Sequence, residues 1–171
     1  MIEHRMKAIR ELLFLKGPIE TTLQKIEIEM RQMAGEVDFS NLRRAVPGEE
    51  LTHKLDVPAD SCAALYLVSD GVGVVTQPHR HETWAVIVGL EGQEMNQIYE
   101  SVSSNTKDVQ QIDVKIIGPG DSIIMSDEDI HGTVSVGATA TFHLRLYGTD
   151  LSLLAPFSDR IYNAVPVGSQ S

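Results

Sequence analysis

The chain of 171 residues is one domain's worth of sequence, and its 42% apolar and 22% charged residues are proportions of a folded protein, not a fibrous or disordered one. Its single cysteine, Cys62, excludes an internal disulfide and every zinc site built on several thiolates. The net charge of −10 is concentrated after residue 48, where six Lys and Arg face seventeen Asp and Glu, which argues against nucleic acid and anionic membrane as partners.

In chain order, residues 1–48 read as a helical segment. Met6, Ile9, Leu12 and Leu13 form a short periodic run, and His4 reads as a surface residue beside it. Gly17-Pro18 breaks the pattern, with Pro18 suited to the first position of a second helix. Ile19, Leu23, Ile26, Met30 and Met33 then recur at helical spacing and make one apolar stripe. Packing on the rest of the domain is the plain reading of that stripe; a homodimer seam is the alternative.

From residue 49 to 165 the pattern changes to short apolar or alternating runs. Strands are expected near 62–68, 84–90, 94–100, 110–117, 121–125, 131–136 and 139–147. Turn signals separate them, among them Ser69-Asp70-Gly71, Glu91-Gly92 and Gly118-Pro119-Gly120-Asp121. Many short strands with Gly-rich turns predict an antiparallel sandwich or barrel, so the chain is mainly β with N-terminal α-helices. Residues 166–171 are small and polar and are expected to form a disordered tail. Cys62 falls in an apolar run and reads as a small core residue. That run, Cys62–Val68, is the longest apolar stretch at seven residues, against the ~20 of a membrane helix. Without an export signal or a disulfide, the expected compartment is a reducing cytoplasm.

Histidines supply the candidate chemistry. His79 and His81 sit two apart in Pro78-His79-Arg80-His81. On a strand such a pair projects from one face and can converge on one ion, with Arg80 pointing the other way. Gly73 precedes His79 by six positions and Gly92 follows the pair; Gly120 then precedes His131 by eleven. This spacing resembles the two histidine-bearing motifs of the cupin superfamily, small double-stranded β-helices (jelly rolls) with a metal in the barrel mouth. The resemblance implies that His79, His81 and His131 bind one divalent metal. Most metallocupins add a Glu four or five residues after the second histidine, where this chain has Ala85 and Val86. The second motif also departs, with Ser126, Glu128 and Ser135 where Pro, Gly and Asn are usual.

A three-histidine cupin resembles the thiol dioxygenases, the cysteine dioxygenase family and its bacterial relatives. Trp84, Gly89, Gly92, Glu94 and Tyr99 resemble the segment after their histidine pair, and Phe142-His143-Leu144-Arg145-Leu146-Tyr147-Gly148 resembles the strand bearing their active-site tyrosine. The resemblance implies an Fe(II) dioxygenase that converts a small thiol and O2 to a sulfinic acid, although imidazoles also suit Ni, Mn or Zn. Residues 143, 145 and 147 share a strand face, and the family keeps Ser, His and Tyr there; this chain has His143, Arg145 and Tyr147. These three are the catalytic candidates. Arg145 either grips a substrate carboxylate or pairs with an acidic side chain. No Arg occurs in 45–79, where the family usually takes the carboxylate, so His53 and Lys54 stand as substrate-binding candidates. Trp84 is a further one, although second-layer packing suits it as well. The family's Cys–Tyr crosslink is absent, since Cys62 lies upstream and Val86 holds that position. Two other readings remain: a different metallocupin enzyme, such as a diketone-type dioxygenase or isomerase, or a non-catalytic small-molecule-binding cupin.

Overall fold

The computed structural model describes residues 2–59 and 62–166; most of the expected tail, 167–171, lies outside them. Helix α1 spans Ile2–Lys16. It ends at Gly17, whose φ of +69° suits glycine and whose N–H bonds back to the Leu13 carbonyl at 2.8 Å. Helix α2 spans Glu20–Ala34. Ile19 caps it in an extended conformation, so the helix starts two residues after Pro18 and Ile19 is left 56% exposed. The rest of the stripe, Leu23, Ile26, Met30 and Met33, is buried within the chain.

Among the described residues ten strands follow: β1 Glu50–Asp56, β2 Ala64–Asp70, β3 His79–Arg80, β4 Ala85–Glu91, β5 Gln93–Ser101, β6 Asp108–Ile117, β7 Ser122–Met125, β8 Ile130–Val136, β9 Thr141–Tyr147 and β10 Asn163–Ala164. They form two five-stranded sheets, ordered β1-β2-β9-β4-β7 and β10-β6-β5-β8-β3. All pairings are antiparallel except β10 with β6.

The inner strands of the first sheet, β2, β9 and β4, are buried on both faces. The sheet's outer face presents Leu65, Leu67, Val86, Val88, Phe142, Leu144 and Leu146 to Met6, Ile9, Leu23, Ile26, Met30 and Met33 of the helices. Its inner face presents Ala64, Tyr66, Val68, Ala85, Ile87 and Tyr147 to the barrel interior. Burial on both faces explains why β2 reads as a continuous apolar run instead of an alternating one. Arg5 of α1 ties the helices together through Glu29 at 2.9 Å and Glu36 at 2.7 Å. Arg10 anchors α1 to the barrel through Asp56 and the carbonyls of Cys62 and Ala63.

Strand β2 starts at Ala64, two residues later than its apolar run suggests. Cys62 therefore lies on the bend ahead of the strand and is exposed, which corrects its reading as a core residue. At the other end Ser69 and Asp70 continue the strand and are buried; the turn begins at Gly71. Gly89 marks a close backbone approach in the barrel: a Cβ there would sit 2.1 Å from the Gly118 carbonyl oxygen. Its N–H and C=O bond to Asp121 and Gly120 at 3.0 and 2.9 Å, pinning β4 to the turn before β7. Among the described residues no helix is long and apolar enough to cross a membrane.

Candidate metal centre

His79 on β3 is the direct cross-strand partner of His131 on β8, so both rings emerge on the inner face of the second sheet. His81 does not share a continuous strand with His79. The strand ends at Arg80, and Glu82 adopts a left-handed φ of +58°, which turns the chain immediately after His81. The third ring arrives by that turn. Ring centroids lie 4.6 Å apart for His79 and His131, 5.1 Å for His79 and His81, and 4.8 Å for His81 and His131. Arg80 points away, paired with Glu128 at 3.0 Å and packed over Tyr162.

The hydrogen bonds fix which nitrogens face one another. His79 Nδ1 donates to the Gln77 carbonyl at 2.9 Å. His131 Nδ1 donates to Asn96 Oδ1 at 2.9 Å, while Asn96 Nδ2 donates to Glu94 Oε1 at 3.1 Å. With Nδ1 protonated in both rings, each Nε2 keeps its lone pair. The Nε2 atoms of His81 and His131 face each other at 3.2 Å, and one atom from each histidine falls within a 4.8 Å group. Burial pushes the His79 pKa down to about 4. It pushes His81 and His131 well below the ordinary range too, helped by the neighbouring histidines and Arg145. Three neutral, buried imidazoles with converging lone pairs are a donor set suited to a divalent cation. No carboxylate among the described residues joins the group, and Ala85 and Val86 are buried in strand β4.

His79 and His81 border a cavity of about 210 Å³, whose wall also includes Thr76, Arg145, Tyr147, Phe157 and Arg160; His131 is not part of that wall. Tyr147 is buried, with its ring 5.1 Å from that of His81 and 5.9 Å from that of Tyr66. Burial raises its phenol above the ordinary value against the opposing pull of Arg145, so the hydroxyl keeps its proton at neutral pH. A larger groove, about 610 Å³ along α1, is lined by residues such as Lys7, Arg10 and Phe14 and carries no such cluster.

Arg145 lines the cavity and is ion-paired within the chain. Its Nη2 donates to Asp70 Oδ2 at 3.0 Å and to Glu94 Oε2 at 2.6 Å, so its charge is answered by acidic side chains of the chain itself. Burial disfavours that charge, but Glu94 and Asp70 more than restore it. His143 packs beside them, its Nδ1 4.0 Å from Glu94 Oε2, and does not line the cavity. Burial lowers its pKa to about 3.

The other substrate-binding candidates lie elsewhere. His53 pairs in register with Leu67, on the helix-facing side of the first sheet. Trp84 packs with the helix-facing cluster and lines a cleft with Pro18 and Leu23. The barrel wall separates both from the cavity. Lys54 sits opposite Tyr66, on the correct side, but its ammonium pairs with Asp150 at 3.6 Å.

Arg160 was not anticipated. The segment after β9 folds back along β3, with Tyr162 N–H bonding the Pro78 carbonyl at 2.8 Å and Arg80 N–H bonding the Arg160 carbonyl at 3.1 Å. This brings Arg160 into the cavity wall. Its Nε and Nη1 bond the carbonyls of Ala155 and Arg80 at 3.0 and 3.1 Å, and no described carboxylate pairs with it. Nothing in its local sequence marks it, because chain reversal alone places it there. Asn96 and Glu94 carried a signal that could have been used: they alternate with Met95 and Gln97, so two polar residues share the inward parity of β5.

No protein-family model and no curated protein matches the sequence. Solved structures do resemble the fold. A cupin superfamily protein from Desulfitobacterium hafniense aligns with a TM-score of 0.50 and 16% identity, covering 67% of this chain and 90% of its own. The cupin domain of Schizosaccharomyces pombe Cnp3 aligns at 0.51 and 10%, covering 66% and 68%. Oxalate oxidase, solved with the substrate analogue glycolate, aligns at 0.50 and 16% over 67% of this chain; the chain spans 59% of its length. At these identities the likeness carries the fold alone, and that fold is the cupin double-stranded β-helix with two added N-terminal helices.

Proposed function

We propose that the chain is a mononuclear non-haem iron dioxygenase that converts a small anionic thiol and O2 to a sulfinic acid. The observation that carries this reading is the cavity itself: three neutral imidazoles meet beside one protonated phenol and one guanidinium without a carboxylate partner. Fe(II) bound there would supply the charge that deprotonates a thiol at neutral pH and the redox chemistry that joins dioxygen to sulfur.

The chain's own groups have separable tasks. Neutral ligands leave the full charge of a divalent ion uncancelled, which favours a substrate bringing its own anionic donor. Tyr147 Oη keeps its proton beside His81 and would donate a hydrogen bond to a substrate held there. Arg160 holds the substrate's carboxylate, because Arg145 is already engaged by Asp70 and Glu94. Phe157, its ring 5.0 Å from that of His79, and Leu151 close the apolar side and limit water.

Oxygen uptake by the iron-loaded protein against a panel of small thiols, with the product identified by mass spectrometry, tests the proposal. A thiol-dependent uptake of one O2 per sulfinate is expected. Absence of sulfinate from every thiol tested removes the reading.

A further inference from the structure

The metal-facing geometry of His131 is set by a buried chain of hydrogen bonds that leads away from the cavity. His131 Nδ1 meets Asn96 Oδ1 at 2.9 Å, Asn96 Nδ2 meets Glu94 Oε1 at 3.1 Å, and Glu94 Oε2 meets Arg145 Nη2 at 2.6 Å. Arg145 Nη2 also reaches Asp70 Oδ2 at 3.0 Å. Asn96, Glu94, Asp70 and Arg145 are all under one tenth exposed, so water does not compete for these bonds.

The direction of each link follows from what each group can do. A guanidinium only donates and an ionised carboxylate only accepts. Glu94, held by Arg145 on one oxygen, therefore obliges Asn96 to turn its NH2 toward the other. Asn96 is left to offer Oδ1 to His131, and His131 must then carry its proton on Nδ1. The lone pair at Nε2 follows. Were Asn96 reversed, its NH2 would face a protonated Nδ1, or the proton would move to Nε2 and block the ligand position.

We infer that Arg145, Glu94 and Asn96 act together as positioning residues that fix the tautomer and ring orientation of His131 for metal binding, with Asp70 as the second anchor of Arg145. The inference rests on the three-histidine centre proposed above. It assigns Arg145 a task unlike substrate binding: this residue makes no hydrogen bond to the three histidines, yet its removal changes the metal site.

Co(II) alone is the probe, read by chelator competition for affinity and by visible absorption for ligand geometry. Outer partners of this kind are typically worth about 10–100-fold in metal affinity. Glu94→Gln and Asn96→Leu should each weaken Co(II) binding by that factor and shift its visible bands. Asn96→Asp made together with Glu94→Gln restores a donor facing an acceptor at each link and should recover affinity to within a few-fold of wild type. Glu100→Gln, on the exposed end of the same strand, should change neither readout. Folded Glu94→Gln or Asn96→Leu protein with wild-type affinity and bands overturns the inference, even if its thermal stability has dropped. Should one variant not fold, the other decides alone, and failure of the Glu94→Gln/Asn96→Asp double variant to outbind Asn96→Leu also counts against the inference. A wild type that takes up no Co(II) ends both this inference and the reading it rests on, whereas intact wild-type binding with unaffected variants ends this one only.

Discussion

Two buried polar clusters line the inside of the barrel, and they treat charge in opposite ways. In one, Asp70, Glu94 and His143 bring their donor atoms within 4.8 Å, and the cation they surround is the guanidinium of Arg145. In the other, His79, His81 and His131 converge equally closely, with no cationic side chain among them. The first cluster is complete as folded. The second brings three imidazole nitrogens together around no cation, and it gains most from an ion supplied from outside. Donor atoms alone therefore do not mark a metal site; what distinguishes the two is whether the chain fills its own centre.

The largest effects are expected where the second cluster is broken. Replacing His79, His81 or His131 by Ala should abolish stoichiometric metal, a greater loss than the about 10–100-fold of an outer partner. Elemental analysis of the three variants checks it. Tyr147→Phe should leave metal bound and lower turnover by about 10²–10⁴-fold, the usual worth of a positioned proton donor. If its turnover equals that of wild type, the phenol is only packing against Tyr66.

Breaking the first cluster should cost stability as well as the metal affinity considered above. Arg145→Met leaves Asp70 and Glu94 facing each other without a cation, and breaking such a buried pair costs about 3–5 kcal/mol. Denaturant unfolding measures it. A cost below about 1 kcal/mol would show that the pair is not desolvated as the geometry implies. For comparison, Ile26→Ala in the helix–sheet core should cost about 2–5 kcal/mol and leave metal content untouched.

Acid gives a smaller and shared effect. The folded state holds His79 at a pKa of about 4 and His143 at about 3, and His81 and His131 are lowered as well. Below the ordinary histidine value of 6.5 the unfolded chain binds more protons than the folded one. These groups' contribution is thus intact above pH ~6.5 and declines as pH falls toward 4. Asp70 and Glu50, both raised by burial, act in the opposite sense above their ordinary values, but four histidines outnumber them. The denaturation midpoint of metal-free protein should therefore fall between pH 7 and pH 5; a midpoint that rises would show that the carboxyls dominate.

Sequence alone made the second cluster legible and left the first almost invisible. Adjacent spacing exposes His79 and His81, and the Gly120-to-His131 interval supplies the third ligand. The turn at Glu82 that aims His81 is not visible in a pattern of alternation. Arg145 could be placed on its strand face, but its partners could not be found from local pattern. Asp70 reads as a turn residue beside Gly71, yet the β2–β9 pairing extends the strand through it. Glu94 comes from the opposite sheet and reaches Arg145 only because the barrel closes. The side on which His53 lies is hidden for a related reason: strand parity assigns a face only once register is known, and β1 carries too weak an apolar pattern to reveal its own. Cys62 shows the same limit at a boundary, where an apolar run outlasts the strand it suggests.

The contrast between the clusters is tested most directly by Co(II) titration of wild type, His131→Ala and Asp70→Asn, with bound metal counted per folded chain. One ion per chain in wild type and in Asp70→Asn, and none in His131→Ala, is the result expected. Two ions in wild type, or a stoichiometric ion retained by His131→Ala, would contradict the account.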